Sequence, residues 1–328
     1  MLKSIFRKSA LLTTVACSVA IGQQAPSTAP VLTAAEVDMM FNELSNWGRW
    51  GADDQRGTLN LVTPDKRRQA AGLVREGISI SLANDFQAVQ TTHNNNQMQM
   101  VMSAQAGSPV AMDEWHIFYH GLTYAHMDAL CHARYKDKAY NGFDASQADE
   151  SGCASSGIEH LKDGVLSRGV LIDVPRLRGV PWLAPGTPVL ASDFEAWERQ
   201  TGLQIEPGDV VLVRTGRWAD RGDTGPVNLM GGSPGVHVSA LPLMRSRDVA
   251  ALGTDVGLDV IPTGVEGVPI PTHTVAIASI GLLILDNVDL EMLAETAARL
   301  NRWEFMFSVA PIPVKGATGS VINAIATF

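Results

Sequence analysis

Four of the chain's eight histidines fall within the 17 residues from His116 to His132, with an aspartate among them. In HGLTYAHMDALCH (residues 120–132), His126 and Asp128 are two apart, so an extended segment points both side chains to one face. Asp128 and His132 are four apart and share a face over one turn of helix. A strand that becomes helical near Asp128 would bring all three together. Two imidazoles and a carboxylate make an N/O donor set suited to Zn²⁺, Mn²⁺ or Fe²⁺. His116 and His120 lie upstream as further ligands. The same spacing also suits histidines satisfied inside a core, with Asp128 orienting one ring, because so short a pattern recurs by chance. Spacing alone leaves both readings open.

The elements that must position this cluster are partly legible. Residues 33–48 predict a helix with Thr33 as N-cap. Residues 63–77 predict a second, with Thr63 as cap, Pro64 in the first turn and Gly77 as stop. ISISLAND (78–85) alternates like a strand. Residues 87–112 are polar, rich in Gln, Asn and Met, and without a period, so they read as a long loop. Strands are then expected in 169–174, 208–216, 250–256, 282–286 and 303–313. Helices are expected in 192–202, 239–248, 271–281 and 289–301, the last capped by Asp289. This alternation fits one α/β domain, with no repeat and no linker after residue 33.

Of the 328 residues, 45% are apolar and 18% charged, enough for a substantial core. The net charge is −9. Without the first 22 residues, 22 basic residues face 34 acidic ones, a net −12. That acidity argues against nucleic acid or an anionic membrane as partner and leaves a small-molecule substrate open. MLKSIFRKS followed by ALLTTVACSVAIG reads as an export signal over residues 1–22, with a small-x-small site before Gln23 and a loose leader over 23–34. The expected location is secreted or periplasmic, with no membrane contact after cleavage; a lipid anchor at Cys17 is the lesser alternative. Cys131 and Cys153 then remain, and an oxidising compartment would allow them to pair.

HGLTYAHMDALCH resembles the signature of the metal-dependent cyclase superfamily, which includes bacterial kynurenine formamidase and isatin hydrolase. That signature reads H-x-G-T-H-x-D-x-P-x-H. His126, Asp128 and His132 stand at its second His, its Asp and its last His. Tyr124 and Ala125 replace Gly-Thr, Leu130 replaces Pro, and Leu122 replaces the first His. The resemblance extends over most of residues 40–328, with GVLIDV, GDVVLVRTG and PGVHVSALPLM in the family's order. HTVAIASIGLLILDNVDLE is similar to the segment where a His and a downstream Glu supply further ligands. Here these are His273 and Asp286, a carboxylate one methylene shorter.

The resemblance implies a single-domain α/β protein of the swivelling β/β/α cyclase-like fold, a mixed sheet with peripheral helices, over residues 35–328. It implies His126 and Asp128 as metal ligands, His273 and Asp286 as a second ligand set, and His132 as catalytic base or acid. Zn or Mn is the expected metal, and a homodimer or homotetramer the expected assembly. The chemistry implied is hydrolysis of an amide, cyclic amide or lactone by metal-activated water. Leu122 cannot bind metal, and catalytic zinc usually keeps three protein ligands. Three arrangements restore the count: His120 reaching in, His237 approaching from a loop, or one metal on His126, Asp128, His273 and Asp286. The last is favoured here. Two alternatives to a hydrolase stand: a small-molecule-binding protein of the same fold that lost catalysis with its first His, and a metal-assisted lyase.

Other polar residues have plainer readings. Cys131 beside His132 reads as a buried thiol or disulfide partner rather than a nucleophile. Asp209 and Arg214 suggest turn chemistry and a structural ion pair. Asp255 and Asp259 fit equally as site residues or turn caps. Trp47 and Trp50 read as core packing. GVEGVPIP (264–271) lacks the order of a phosphate loop.

Overall fold

The apolar runs between the expected helices become the parallel centre of one sheet. The computed structural model describes residues 29–86, 98–103, 107–219 and 231–328. In chain order its strands are β1 (Ser79–Ser81), β2 (Gln99–Ser103), β3 (Met112–His116), β4 (His126–Asp128), β5 (Ala148–Asp149), β6 (Gly152–Cys153), β7 (Val165–Asp173), β8 (Pro188–Val189), β9 (Val210–Arg214), β10 (Gly235–Val236), β11 (Ala251–Thr254), β12 (Leu283–Asp286), β13 (Glu304–Val309), β14 (Gly319–Val321) and β15 (Ile325–Thr327). Its helices are α1 (Ala34–Glu43), α2 (Pro64–Ala71), α3 (Val174–Arg178), α4 (Ala191–Thr201), α5 (Leu241–Ser246), α6 (Pro271–His273) and α7 (Glu291–Leu300).

Nine strands form a mixed sheet in the order β1-β15-β13-β7-β9-β11-β12-β4-β14. Strands β7, β9, β11 and β12 run parallel, each pair joined by a helical crossover. Strands β11 and β12 are buried along their whole length, as parallel strands covered on both faces must be. Antiparallel strands flank this centre, with β4 and β14 on one side and β13, β15 and β1 on the other. The result is the expected mixed sheet with peripheral helices.

Local signals held where they were strong. Thr33 and Glu36 form a capping box at the start of α1. Thr63 caps α2 with Pro64 at its first turn, although the helix stops at Ala71 rather than running to Gly77. The α7 cap departs from expectation, because Leu290 takes the N-cap position and Asp289, one residue earlier, accepts from the Glu291 N–H at 3.0 Å. At α4, Leu190 is the N-cap and its N–H donates to Asp193 at 2.8 Å.

Other expectations are corrected. The long loop over 87–112 contains β2 and the first residue of β3, an antiparallel hairpin whose ten residues are all exposed. Having no buried face, it carries no alternation to read. Residues 87–97 and 104–106 of that loop lie outside the described residues. The helix over 271–281 is one α turn followed by a π-helical segment, Thr274–Ile280, every residue of it buried. Gly281 closes it in the left-handed region at φ 68°. The strand expected over 303–313 ends at Val309. The export signal lies outside the described residues, and no helix among the described residues is long and apolar enough to cross a membrane.

Candidate metal centre

Strand register builds the centre. In the antiparallel pair β4–β12, His126 lies opposite Asp286, and Ile284 lies opposite Asp128. Directly opposed residues share a face, and so do residues two apart on one strand. His126, Asp128 and Asp286 therefore converge on one side of the sheet, while Met127 points into the core on the other. One ligand-type atom from each of the three lies within 4.8 Å of the other two. His126 Nδ1 donates to the Tyr124 carbonyl at 2.8 Å, which leaves Nε2 as the free lone pair, 3.6 Å from Asp128 Oδ1.

A second triad of the same kind joins His120, Asp128 and His132. His120 Nδ1 is 3.5 Å from Asp128 Oδ1, and its Nε2 meets the Thr318 hydroxyl at 2.9 Å. The His120 and His132 rings stack at 4.2 Å with an 11° interplanar angle. Beyond Asp128 the chain forms a tight turn, His132 N–H donating to the Ala129 carbonyl, rather than the helical turn expected from spacing. A disulfide between Cys131 and Cys153 pins that turn, which removes Cys131 as a nucleophile. Burial, reinforced by the neighbouring His132, pushes the His120 imidazole down to about 4, so it is neutral near pH 7.

His273 enters from the other side. Its Nε2 is 3.2 Å from Asp286 Oδ2 and 3.7 Å from Asp128 Oδ2. Its Nδ1 meets Asp259 Oδ2 at 2.5 Å, and Asp259 also accepts from the backbone N–H groups of Thr272 and His273. Burial opposes charge on His273, but the Asp286 charge and the Asp259 hydrogen bond outweigh it and hold its pKa well above the ordinary value. Burial likewise raises Asp286, yet His273 outweighs it and the carboxyl is held low. Of the two aspartates that fitted equally as site or cap, Asp259 orients a cluster histidine. Asp255 instead accepts from the N–H groups of Thr215, Gly216 and Arg217 and fastens the loop after β9.

Asp128 shows whether these residues suit a cation. It is 1% exposed, and neither carboxylate oxygen has a hydrogen-bond partner among the described residues. A buried carboxylate without donors is costly, and a cation is the usual compensation. Two ligand atoms each ~2.1 Å from one tetrahedral ion stand roughly 3.4 Å apart. The 3.5 and 3.6 Å separations from Asp128 Oδ1 to the two imidazoles match that spacing. The N/O donor set fits a divalent ion and does not distinguish Zn from Mn.

The structure thus gathers all five ligand candidates, His120, His126, Asp128, His273 and Asp286, together with His132. His273 Nε2, 3.2 Å from Asp286 and 3.7 Å from Asp128, and His120 Nδ1, 3.5 Å from Asp128, both stand near ligand spacing, so the favoured set of four and a set that includes His120 are both assembled here. His237 caps the turn that follows it, its Nδ1 3.2 Å from Ser239 N. Asp209 and Arg214 sit in structural ion pairs with Arg168 and Asp173, as expected. Sequence reasoning passed over Thr318, Arg217 and Asn287. Arg217 is 2% exposed and donates to Asn287 Oδ1 at 2.6 Å and to the Leu122 carbonyl. Burial lowers it to about 10, which leaves it charged near neutrality. No local pattern marks these three, since their partners lie far away in the chain.

Known proteins share this arrangement of strands. A crystal structure described as a novel cyclase has a TM-score of 0.79 at 28% identity, covering 88% of this chain and 99% of that one. Isatin hydrolase A from Labrenzia aggregata, bound to benzyl benzoate, has a TM-score of 0.55 at 19% identity over 78% of this chain and 94% of that one. A protein described as a potential metal-dependent hydrolase with cyclase activity gives 0.50 at 15%, over 76% and 96%. The last two likenesses show the fold alone. No curated protein matches the chain in sequence. The sequence profile of the cyclase family matches residues 77–259, more than half of the 328, and this chain belongs to that family.

Proposed function

We propose that this protein is an exported metal-dependent hydrolase that opens an amide, cyclic amide or lactone C–N or C–O bond. The buried Asp128 carboxylate, with both oxygens unpartnered beside four imidazoles and a second carboxylate, carries the reading. His126, Asp128 and Asp286 would hold the ion, and His120 would add a neutral imidazole where Leu122 offers none. When bound, a Zn or Mn ion supplies Lewis acidity and hydroxide at neutral pH.

His132 is only half-buried, so it can exchange a proton with a substrate at the mouth of the site. It takes a proton from the attacking water and returns it to the leaving nitrogen or oxygen. His273, charged and braced by Asp259, keeps Asp286 fixed. Isatin hydrolase and metal-dependent hydrolase neighbours support a hydrolytic reading. The Cys131–Cys153 disulfide supports an oxidising compartment and hence export.

A second reading is favoured by Leu122. The residue, an apolar group near a site of charged ones, is 44% exposed, and its side chain lies against Gly257, which also neighbours Asp286. A small-molecule-binding protein without catalysis would tolerate it. Elemental analysis of purified protein, with a screen of aryl formamides, cyclic imides and lactones, separates the two. Stoichiometric Zn or Mn with turnover supports the hydrolase. No metal after supplementation, with ligand binding retained, replaces it with the binder; elimination products would replace it with a lyase.

A further inference from the structure

The loop that carries His120 toward His126 is held from outside the cluster. Asn287 Nδ2 donates to the Gly121 carbonyl at 2.7 Å and to the Tyr124 carbonyl at 3.4 Å. Arg217 donates to the Leu122 carbonyl and, at 2.6 Å, to Asn287 Oδ1. Three of the four carbonyls in residues 121–124 are thereby drawn to one pair of side chains. Tyr124 O is also the acceptor that sets the His126 tautomer. Asn287 directly follows Asp286 and adopts a positive φ of 57°, a conformation asparagine tolerates well, which aims its amide across β12 toward the loop.

Arg217 has no carboxylate within ion-pair distance among the described residues; both of its acceptors are neutral. A nearly fully buried guanidinium spent on an amide oxygen and a backbone carbonyl is an expensive way to tie down a loop. Asp255 fixes its position by accepting from the Arg217 backbone N–H at 3.2 Å.

We propose that Arg217 and Asn287 are positioning residues that clamp residues 121–124, setting the orientation of His126 and the approach of His120, so that position 122 contributes a clamped carbonyl. This rests on the metal-centre reading above. It adds a pair of residues that act through the histidines and touch neither ion nor substrate. Partners of this kind typically change metal affinity 10–100-fold.

Asn287→Asp is the sharpest test. It keeps the oxygen that accepts from Arg217 and gives the guanidinium a carboxylate, but it loses the amide that holds the Gly121 and Tyr124 carbonyls. The expected result is an unchanged or higher melting temperature of the metal-free protein, with Zn²⁺ or Mn²⁺ affinity by calorimetry lowered at least tenfold. The visible spectrum of the Co²⁺-loaded protein should shift as well. Arg217→Gln should lower affinity similarly, and Arg217→Lys should not restore it, because one ammonium cannot serve both acceptors.

A metal-independent readout accompanies these. ¹⁵N NMR of histidine-labelled apo protein should show His126 protonated at Nδ1 in the wild type, with that preference lost in Asn287→Asp. If both variants keep wild-type affinity, Co²⁺ spectrum and His126 tautomer, the clamp is wrong. If the wild type binds no metal while the tautomer still responds to Asn287→Asp, the metal reading fails and the clamp stands.

Discussion

The two ends of the parallel strands carry two buried charge clusters that differ in one respect. At the N-terminal end, Asp209 precedes β9, and its oxygens are fully engaged. Oδ1 meets Lys66 at 2.5 Å and Arg168 Nε at 3.0 Å, while Oδ2 meets Arg168 Nη2 at 2.7 Å and the Glu206 N–H at 2.8 Å. Toward the C-terminal end, beside His126 and Asp286, Asp128 is as deeply buried and has no hydrogen-bond donor at either oxygen among the described residues. Both ends bury carboxylates; one is closed by the protein and the other is left open. A closed network is finished by folding, whereas an open one keeps a place for something the chain does not supply.

Breaking each end should give opposite results. Asp128→Asn should remove metal from the purified protein entirely by elemental analysis, while the metal-free form melts at the same or a higher temperature. Retained metal, or a stability loss like that of the closed end, would sink the contrast. Asp209→Asn should instead cost about 3–5 kcal/mol in urea denaturation, because Lys66 and Arg168 lose a buried partner, with metal content per folded molecule unchanged. A cost under 1 kcal/mol would show that this network is not closed in the sense argued.

Reducing the disulfide tests the open end alone. Cys131 and Cys153 are 22 residues apart, so its removal should cost about 3 kcal/mol and loosen the turn that presents His132. Paired Cys→Ser variants in urea, with and without metal, check this; equal stability in both variants and wild type counts against it.

The smallest effect is in pH. His120 is held near 4, below its ordinary 6.5, so the stability it confers is present above 6.5 and lost as pH falls toward 4. His273 is shifted the other way. Its contribution is complete below 6.5 and lost as pH rises through its elevated folded value. Stability of the chelated protein should therefore peak near pH 6.5. Burial raises Glu206 at the closed end, but the Gln69 hydrogen bond and the Arg168 and Lys66 charges outweigh it. Its contribution persists until pH drops below 4.5, the ordinary value for a glutamate. Urea denaturation in chelator from pH 4 to 9 reads this directly, and His120→Asn should flatten only the acid limb. A profile with no fall below 6.5 would contradict the His120 assignment.

Local signals were legible because they act over a few residues. Thr33 with Glu36, and Thr63 with Pro64, announce helix starts through bonds within one turn. The parallel strands announce themselves as apolar runs because both faces are covered. His126 and Asp128 share a face by alternation alone, and His273 and Asp286 stood out only through the resemblance to a family. The hairpin β2–β3 was illegible because every residue in it is exposed.

The amino-acid sequence by itself determined the donor types, the apolar layers and the side of β4 on which His126 and Asp128 fall. Only the tertiary structure decided that the His120 ring comes within 3.5 Å of Asp128, and that Asp259 braces His273. Which imidazole reaches Asp128 depends on the path of residues 121–124, and that path is held by Arg217, 95 residues from Leu122, and Asn287, 166 residues from Gly121. Contacts between residues so far apart in the chain leave no local spacing to read, because they exist only once the strands have paired.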